Sequence, residues 1–301
     1  IEALKASGTE DQRRRFFAAA LAGERFANAI AERGTERADI RKARLQQAGD
    51  GFLLNGTKYY STGALTADWV AVLAADPDDN QAFVLVPAGS PGLERHDDWR
   101  GFGQRSSTSG TTVLKDVRVS AEQVLPRPAP DAALNLIGPG TQLVHAAIDT
   151  GIARGALDDG TAFIRDRARP WREANVARAA EEPHVIVHVG KLATRVTAAE
   201  ALLGWAADTL DQIRAEPLTE ASVTRAVLAV DQTKAFAAEV SLQVASEILE
   251  LAGSSATDAG HGLDRHWRNA RTHTLHDPAR WKFHHVGAWL LSGEQPPFAP
   301  A

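Results

Sequence analysis

Pro126-Arg-Pro-Ala-Pro130 divides the chain into two textures. Three prolines in five residues have no N–H to give to a helix or a central strand, so neither element crosses this point. On its N-terminal side, from about residue 24, short β-rich runs alternate with turn residues: Phe52–Tyr60, Trp69–Ala74, Ala82–Pro87 and Thr111–Val119. Asp50-Gly51 signals a two-residue hairpin between Arg41–Gln47 and Phe52–Tyr60, and Asp76-Pro-Asp-Asp-Asn80 a second turn. There is no strand–helix–strand alternation, which predicts an antiparallel β domain. On the C-terminal side apolar residues recur at three- and four-residue spacing over roughly 141–169, 184–214, 218–252 and 278–292, broken by Pro170, Pro217 and Gly253. Four long helices predict an antiparallel four-helix bundle. Thr219 is placed to cap the third of them, with Glu220 in its first turn. Residues 1–23 read as helix, with Thr9 as an N-cap before the acidic Glu10 and Asp11. The expected fold class is α+β: a helical segment at 1–23, a β-barrel-like domain at 24–127 and a helical bundle at 128–301.

Composition narrows the function classes. The chain has 301 residues, 44% hydrophobic and 24% charged, which is ordinary for a globular protein with a substantial core. The net charge is −5 and no basic face dominates, so nucleic acid is not an expected partner. No apolar run approaches the roughly 18 residues that cross a bilayer, and the cytoplasm is the expected location. The absence of cysteine removes disulfides, thiolate catalysis and zinc–thiolate sites. The chain opens at Ile1 and contains no methionine, so a preceding segment is left open.

The densest chemistry lies in Asp264-Arg-His-Trp-Arg-Asn-Ala-Arg-Thr-His-Thr-Leu-His-Asp-Pro278. Here His273 and His276 stand three apart beside Asp277 and three arginines. The residue before a proline avoids the α region, which places Asp277 at a helix end, where titratable groups serve as general acids or bases. His184/His188 and His273/His276 have the spacing of paired metal ligands but lack a third, so no metal site is expected. His284-His285 reads as surface. No GxGxxG loop occurs, so no nicotinamide site is visible. Ser107, Thr108 and Ser109, before Gly110, form a polar loop suited to donate to a phosphate. Tyr59, Trp99 and Phe102 are candidates for the lining of an aromatic substrate pocket.

The domain order and several motifs resemble the acyl-CoA dehydrogenase superfamily over nearly the whole chain. Gly8–Phe17 looks like the end of that family's N-terminal helical domain. Gly56-Thr-Lys-Tyr-Tyr-Ser-Thr-Gly63 is similar to its flavin-facing β segment, and Gly151-Ile-Ala-Arg-Gly-Ala-Leu157 to its first long bundle helix. Asn28 in Phe26-Ala-Asn-Ala29, Asp97-Asp-Trp99, Gly103–Gly110, Arg167-Ala-Arg-Pro-Trp171 and the segment 264–278 match the flavin-dependent monooxygenases of sulfur assimilation, the branch of the dibenzothiophene and sulfone-type enzymes.

The resemblance implies an acyl-CoA dehydrogenase-like fold whose 1–23 helix is a remnant of a larger N-terminal domain. It also implies roles. Thr62 falls where the family faces flavin N5 and Asn28 where it meets the flavin's carbonyl edge. Arg167 or Arg169 falls where it holds the flavin phosphate across a subunit contact. A dehydrogenase of this family abstracts a proton with a glutamate in a Tyr/Phe-Glu-Gly-Thr motif. Here that stretch is His276-Asp277-Pro278, one methylene shorter and without the glycine. A monooxygenase instead manages the proton of a flavin C4a-peroxide, and His276, then His273, are its candidates. FAD relatives carry a Gln-x-x-Gly-Gly-x-Gly loop against the adenosine; Glu250-Leu-Ala-Gly-Ser-Ser-Ala256 keeps only Gly253, which favours FMN over FAD. The expected activity is oxygenation of an organosulfur compound with O2 and FMN reduced by a separate reductase. The alternatives are an FAD-dependent dehydrogenase with Asp277 as base, and a non-catalytic member. Apolar surface on 184–214 and 218–252 beyond what a bundle needs points to a homotetramer, a dimer of dimers.

Overall fold

The computed structural model describes residues 1–36, 40–126 and 134–298. Residues 127–130 of the proline-rich stretch lie outside them. The chain forms two compact units, residues 1–101 with 105–133, and residues 102–104 with 134–300.

The first unit opens with α1 (Glu2–Ser7) and α2 (Glu10–Leu21). Thr9 caps α2 as the sequence suggests: its hydroxyl accepts from Gln12 N, and Gln12 Oε1 accepts from Thr9 N. Eight strands follow: β1 (Phe26–Ala29), β2 (Arg44–Ala48), β3 (Gly51–Ser61), β4 (Trp69–Ala75), β5 (Gln81–Pro87), β6 (Leu93–His96), β7 (Gly110–Ser120) and β8 (Val124–Pro126). They make one sheet in the order β6-β7-β3-β2-β4-β5-β8, with β1 beside β4. The sheet is antiparallel except at β4, which takes β1 in parallel and touches β2 in parallel at Arg44–Ala75. The β2–β3 hairpin lies between β1 and β4 in sequence, and this long connection permits a parallel return that local patterning does not reveal. The hairpin turn is Gly49-Asp50 rather than Asp50-Gly51, because Gly49 takes the left-handed φ of +67° and Gly51 already pairs with Ala48.

Alternating apolar residues of the strands (Leu45, Leu54, Val70, Val72, Val84, Val86, Val117) form the sheet's core. On α2, buried Phe16 meets Trp69 edge to face at 5.2 Å, and Gln12 Nε2 donates to the carbonyls of Glu122 and Val124. An ion pair is buried here. Lys58, in the flavin-like motif of β3, points its ammonium at Glu32, 2.5 Å away, with side-chain exposures of 0% and 3%. Glu32 also accepts from the backbone N–H groups of Lys42 and Ala43. Burial opposes its ionisation, but these three donors prevail and hold its pKa below the ordinary carboxylate value.

The second unit is helical: α3 (Ile137–Asp166), α4 (Pro183–Arg214), α5 (Glu220–Ala252), α6 (Asp264–His273) and α7 (Ala279–Ser292). The four long helices match the spans read from periodicity. α6 is a shorter fifth, and it stops at His273 rather than at Asp277. Residues 274–278 form turns, and Pro278, whose fixed φ suits a helix start, stands at the N-cap of α7. α5 is central, buried along its length from Val223 to Ala252. Its approach to α3 is so close that a side-chain carbon at Gly160 would fall 2.0 Å from Ile248. Residues 102–104 belong with α6. The Phe102 ring stacks on Trp267, Arg268 donates to the Phe102 carbonyl, and Gln104 N donates to Asn269 Oδ1 at 2.7 Å. No described helix is long and apolar enough to cross a membrane.

Candidate functional site

Periodicity places His145 and Asp149 of α3 one turn apart on one face, and Asp231 and Lys234 on one face of α5. Packing brings these residues against the end of α6. Asp149 and Lys234 are buried, at 0% and 1% side-chain exposure, and Lys234 Nζ donates to Asp149 Oδ2 at 2.6 Å. The other oxygen of Asp149 lies 2.6 Å from His273 Nδ1. His273 Nε2 lies 3.0 Å from His145 Nδ1, and the His145 ring lies against that of His276, with centroids 4.1 Å apart and planes tilted by 32°. His276 N in turn donates to the His273 carbonyl. A chain of contacts thus runs from a buried ion pair to an exposed imidazole.

Burial, then the neighbouring His276 and His273, push the His145 pKa down to about 3, so this ring is neutral at neutral pH. Burial of its inner face and the proximity of His273 lower that of His276 as well. A neutral imidazole offers one N–H and one lone pair, the equipment of a group that gives or takes a proton. Asp277, beside His276, is held by Lys282 at 3.1 Å. Lys282 also faces Asp231 at 3.5 Å, whose other oxygen lies 2.6 Å from His285 Nδ1. The sequence singled out His273 and His276 but not His145, Asp149 or Lys234. The available signal was the same-face spacing of polar residues inside otherwise apolar helices.

In the first unit Thr62, Ser107 and Ser109 come together. Thr62 Oγ1 lies 2.8 Å from Ser109 Oγ, which lies 2.7 Å from Ser107 Oγ, and Gly63 N donates to the Ser107 carbonyl. The neighbouring Thr108 takes a left-handed φ of +47° that turns the chain between these hydroxyls. Beside them is a cleft of about 400 Å³ lined by Arg33, Tyr59, Tyr60, Trp99, Ser109 and Arg100 among others. Tyr59 lies under the Arg33 guanidinium at 4.3 Å, and Trp99 meets Tyr60 edge to face. Asn28 is exposed on β1, in register with Ala71. Phe102 is grouped with the helical unit, on Trp267, and not with Tyr59 and Trp99.

Arg167 and Arg169 follow the last turn of α3, both exposed, with Arg167 3.3 Å from His261. Gly253 ends α5 with φ +79°, and Ser254–Thr257 turn into a short 3-10 segment. His188 pairs with Glu247 at 2.5 Å, and no described cluster of three His, Asp or Glu residues suits a metal.

Residues 27–117 match the middle domain of acyl-CoA dehydrogenases, and residues 143–281 match their C-terminal domain. The dibenzothiophene monooxygenase of Mycolicibacterium goodii is 34% identical over 283 residues, spanning 89% of this chain and 68% of that protein. A probable FMNH2-dependent monooxygenase, SfnC, of Pseudomonas putida is 33% identical over 251 residues, spanning 80% of this chain and 63% of its own length. The crystal structure of TdsC from Paenibacillus sp. A11-2 in a complex with FMN and indole superimposes with a TM-score of 0.93. That match has 28% identity and covers 99% of this chain and 78% of TdsC.

Proposed function

The chain belongs to the acyl-CoA dehydrogenase family, in the branch of the dibenzothiophene monooxygenases, and from this we propose that it is an FMN-dependent monooxygenase of an organosulfur compound. The observation that carries the assignment is the buried Lys234–Asp149–His273–His145 chain ending on His276. Such a chain suits proton management beside an oxygen-activating flavin. The rival dehydrogenase reading needs a free carboxylate to abstract a proton, and Asp277 is engaged by Lys282.

When bound, reduced FMN supplies the electrons that activate O2, and a separate flavin reductase provides it in that form. The hydroxyls of Thr62, Ser107 and Ser109, linked at 2.7–2.8 Å, have the donor chemistry that an FMN phosphate or the oxygen-bearing edge of its ring requires. Asn28 adds an amide on β1. His276 holds or moves the proton, with His273 behind it. Tyr59 and Trp99, which line the cleft, present aromatic surface to an apolar sulfur substrate. Turnover with 18O2, reduced FMN and dibenzothiophene or an alkanesulfinate tests the assignment: labelled oxygen in the sulfur product is expected, and flavin bleaching by an acyl-CoA instead would overturn it.

Arg167 and Arg169 are the proposed phosphate ligands, because their planar guanidinium forks bind a phosphate dianion bidentately. Arg169→Ala should weaken FMN by about 1.5–3 kcal/mol, read by flavin fluorescence titration. An unchanged affinity would remove Arg169 from the site. The proposed assembly is a homotetramer, and the proposed location is the cytoplasm. Exposed Ile186, Val187 and Trp205 on α4 and Leu290 and Leu291 on α7 support an oligomeric face. Light scattering should give four chains per particle; a stable FMN-loaded monomer would contradict it.

A further inference from the structure

We infer that His145, His273 and Asp149 form a proton relay ending against His276, with Lys234 as the fixed counter-charge of the Asp149 carboxylate. The inference rests on the role proposed for His276. Neither the three relay residues nor Lys234 is of the apolar type that packs a helical bundle. A buried lysine–aspartate pair is commonly no more stabilising than apolar side chains of the same size, so its presence between α3 and α5 calls for another reason.

In the resting state of the relay the contacts order the protons. Asp149 Oδ2 accepts from the Lys234 ammonium, and its Oδ1 accepts at 2.6 Å from His273, so His273 carries its proton on Nδ1. His273 Nε2 is then a lone pair and accepts at 3.0 Å from His145 Nδ1–H. His145 Nε2 is left as a lone pair in its turn. The His145 ring, neutral at neutral pH, lies against that of His276.

This arrangement has a second state. A hydronium ion from solvent gives its proton to His145 Nε2: its O–H bond breaks, leaving water, and an N–H bond forms on the ring. The His145 Nδ1–H bond breaks as its proton passes to His273 Nε2, leaving an imidazolium at His273 paired with the Asp149 carboxylate. Reversal returns the proton to the outer ring. One proton enters, one charge moves inward by one ring, and nothing else is consumed. His145, His273 and Asp149 are thereby positioning residues that decide whether the group behind His276 is a donor or an acceptor. The other charged groups near this end, Asp277, Lys282, Asp231 and His285, are engaged with one another on the turn, α5 and α7.

Asp149→Asn tests the relay. Its amide oxygen can still accept from Lys234, but its NH2 would face His273 Nδ1 and force both rings to the Nε2–H tautomer. Nitrogen-15 NMR of the histidine rings in the whole, flavin-free protein should show Nδ1–H at His145 and His273 in the parent and Nε2–H at both in the variant. Coupled oxygenation should fall on the order of 10²-fold, with oxygen appearing as hydrogen peroxide, and Asp149→Glu should recover part of it. Nε2–H at His145 in the parent overturns the relay whether or not the variant folds. A tautomer change without loss of coupling also overturns it. His276→Ala separates the two ideas: if that variant uncouples while Asp149→Asn does not, the relay is wrong and the role of His276 stands. If His276→Ala stays coupled, the role of His276 fails first.

Discussion

Replacing His276 by alanine is expected to leave FMN binding within a few-fold of the parent and to lower coupled oxygenation by about 10²–10⁴-fold, the span that general acid–base groups contribute. The ring is exposed on one side and lies against His145 on the other, so its removal opens no void in the core. Burial, then the neighbouring His273, lower its pKa and so favour the neutral ring, which can give a hydrogen bond and take one. Without it the activated oxygen would be lost to water. The measurement is hydrogen peroxide formed per oxygen consumed, beside product formed. Turnover within a few-fold of the parent would withdraw His276 from the chemistry.

The second large effect concerns stability. Lys58→Met should destabilise the first unit by about 3–5 kcal/mol at neutral pH, because it leaves the Glu32 carboxylate buried without its cation. Urea denaturation reads the loss. The pH dependence distinguishes a charge effect from a packing one. In the parent, Glu32 titrates below its ordinary value of 4.5, so its contribution is present above that pH and is lost as pH falls through the lowered folded value. In the variant, burial acts unopposed by Lys58 and pushes the Glu32 pKa up. Protonation then relieves the cost, so the gap between variant and parent should begin to narrow above pH 4.5, as pH falls through that raised value, and narrow further below 4.5 as the parent loses its own contribution. A gap independent of pH would show that only packing was lost. Glu32→Gln with Lys58→Met should recover most of the stability.

Much of the fold was legible because its signals are local. Pro170, Pro217 and Gly253 bound helices whose apolar spacing is regular, and Thr9 and Thr219 cap as their neighbours require. Pairing between distant strands has no such signal, and the parallel β1–β4 contact went unread. So did the end of α6: Pro278 reads equally well as the stop of one helix and the start of the next, and only the turn at 274–278 decides. The site was half legible. Thr62, Ser107 and Ser109 were singled out separately and meet through their hydroxyls. His273 and His276 were visible by their spacing, but the partners of His273 come from 124 residues earlier, at Asp149, and 128 residues earlier, at His145. A lone polar residue on a long helix reads as surface until its neighbours are known. Phe102 looked like a companion of Trp99 because they are close in sequence, yet it stacks on Trp267.

The attachment of residues 102–104 to α6 bears on how the molecule is made. Gln104 N finds its acceptor on Asn269, 165 residues later. At a synthesis rate of roughly 5–20 residues per second, the nascent chain carries this tripeptide for on the order of ten seconds or more before its partner leaves the ribosome. Throughout that interval β6 and β7 can pair while the loop joining them stays open, its Phe102 ring bare to solvent and to chaperones. Turns of α6, translated after α3, α4 and α5, are therefore the ones that close a loop lying between two strands made long before them.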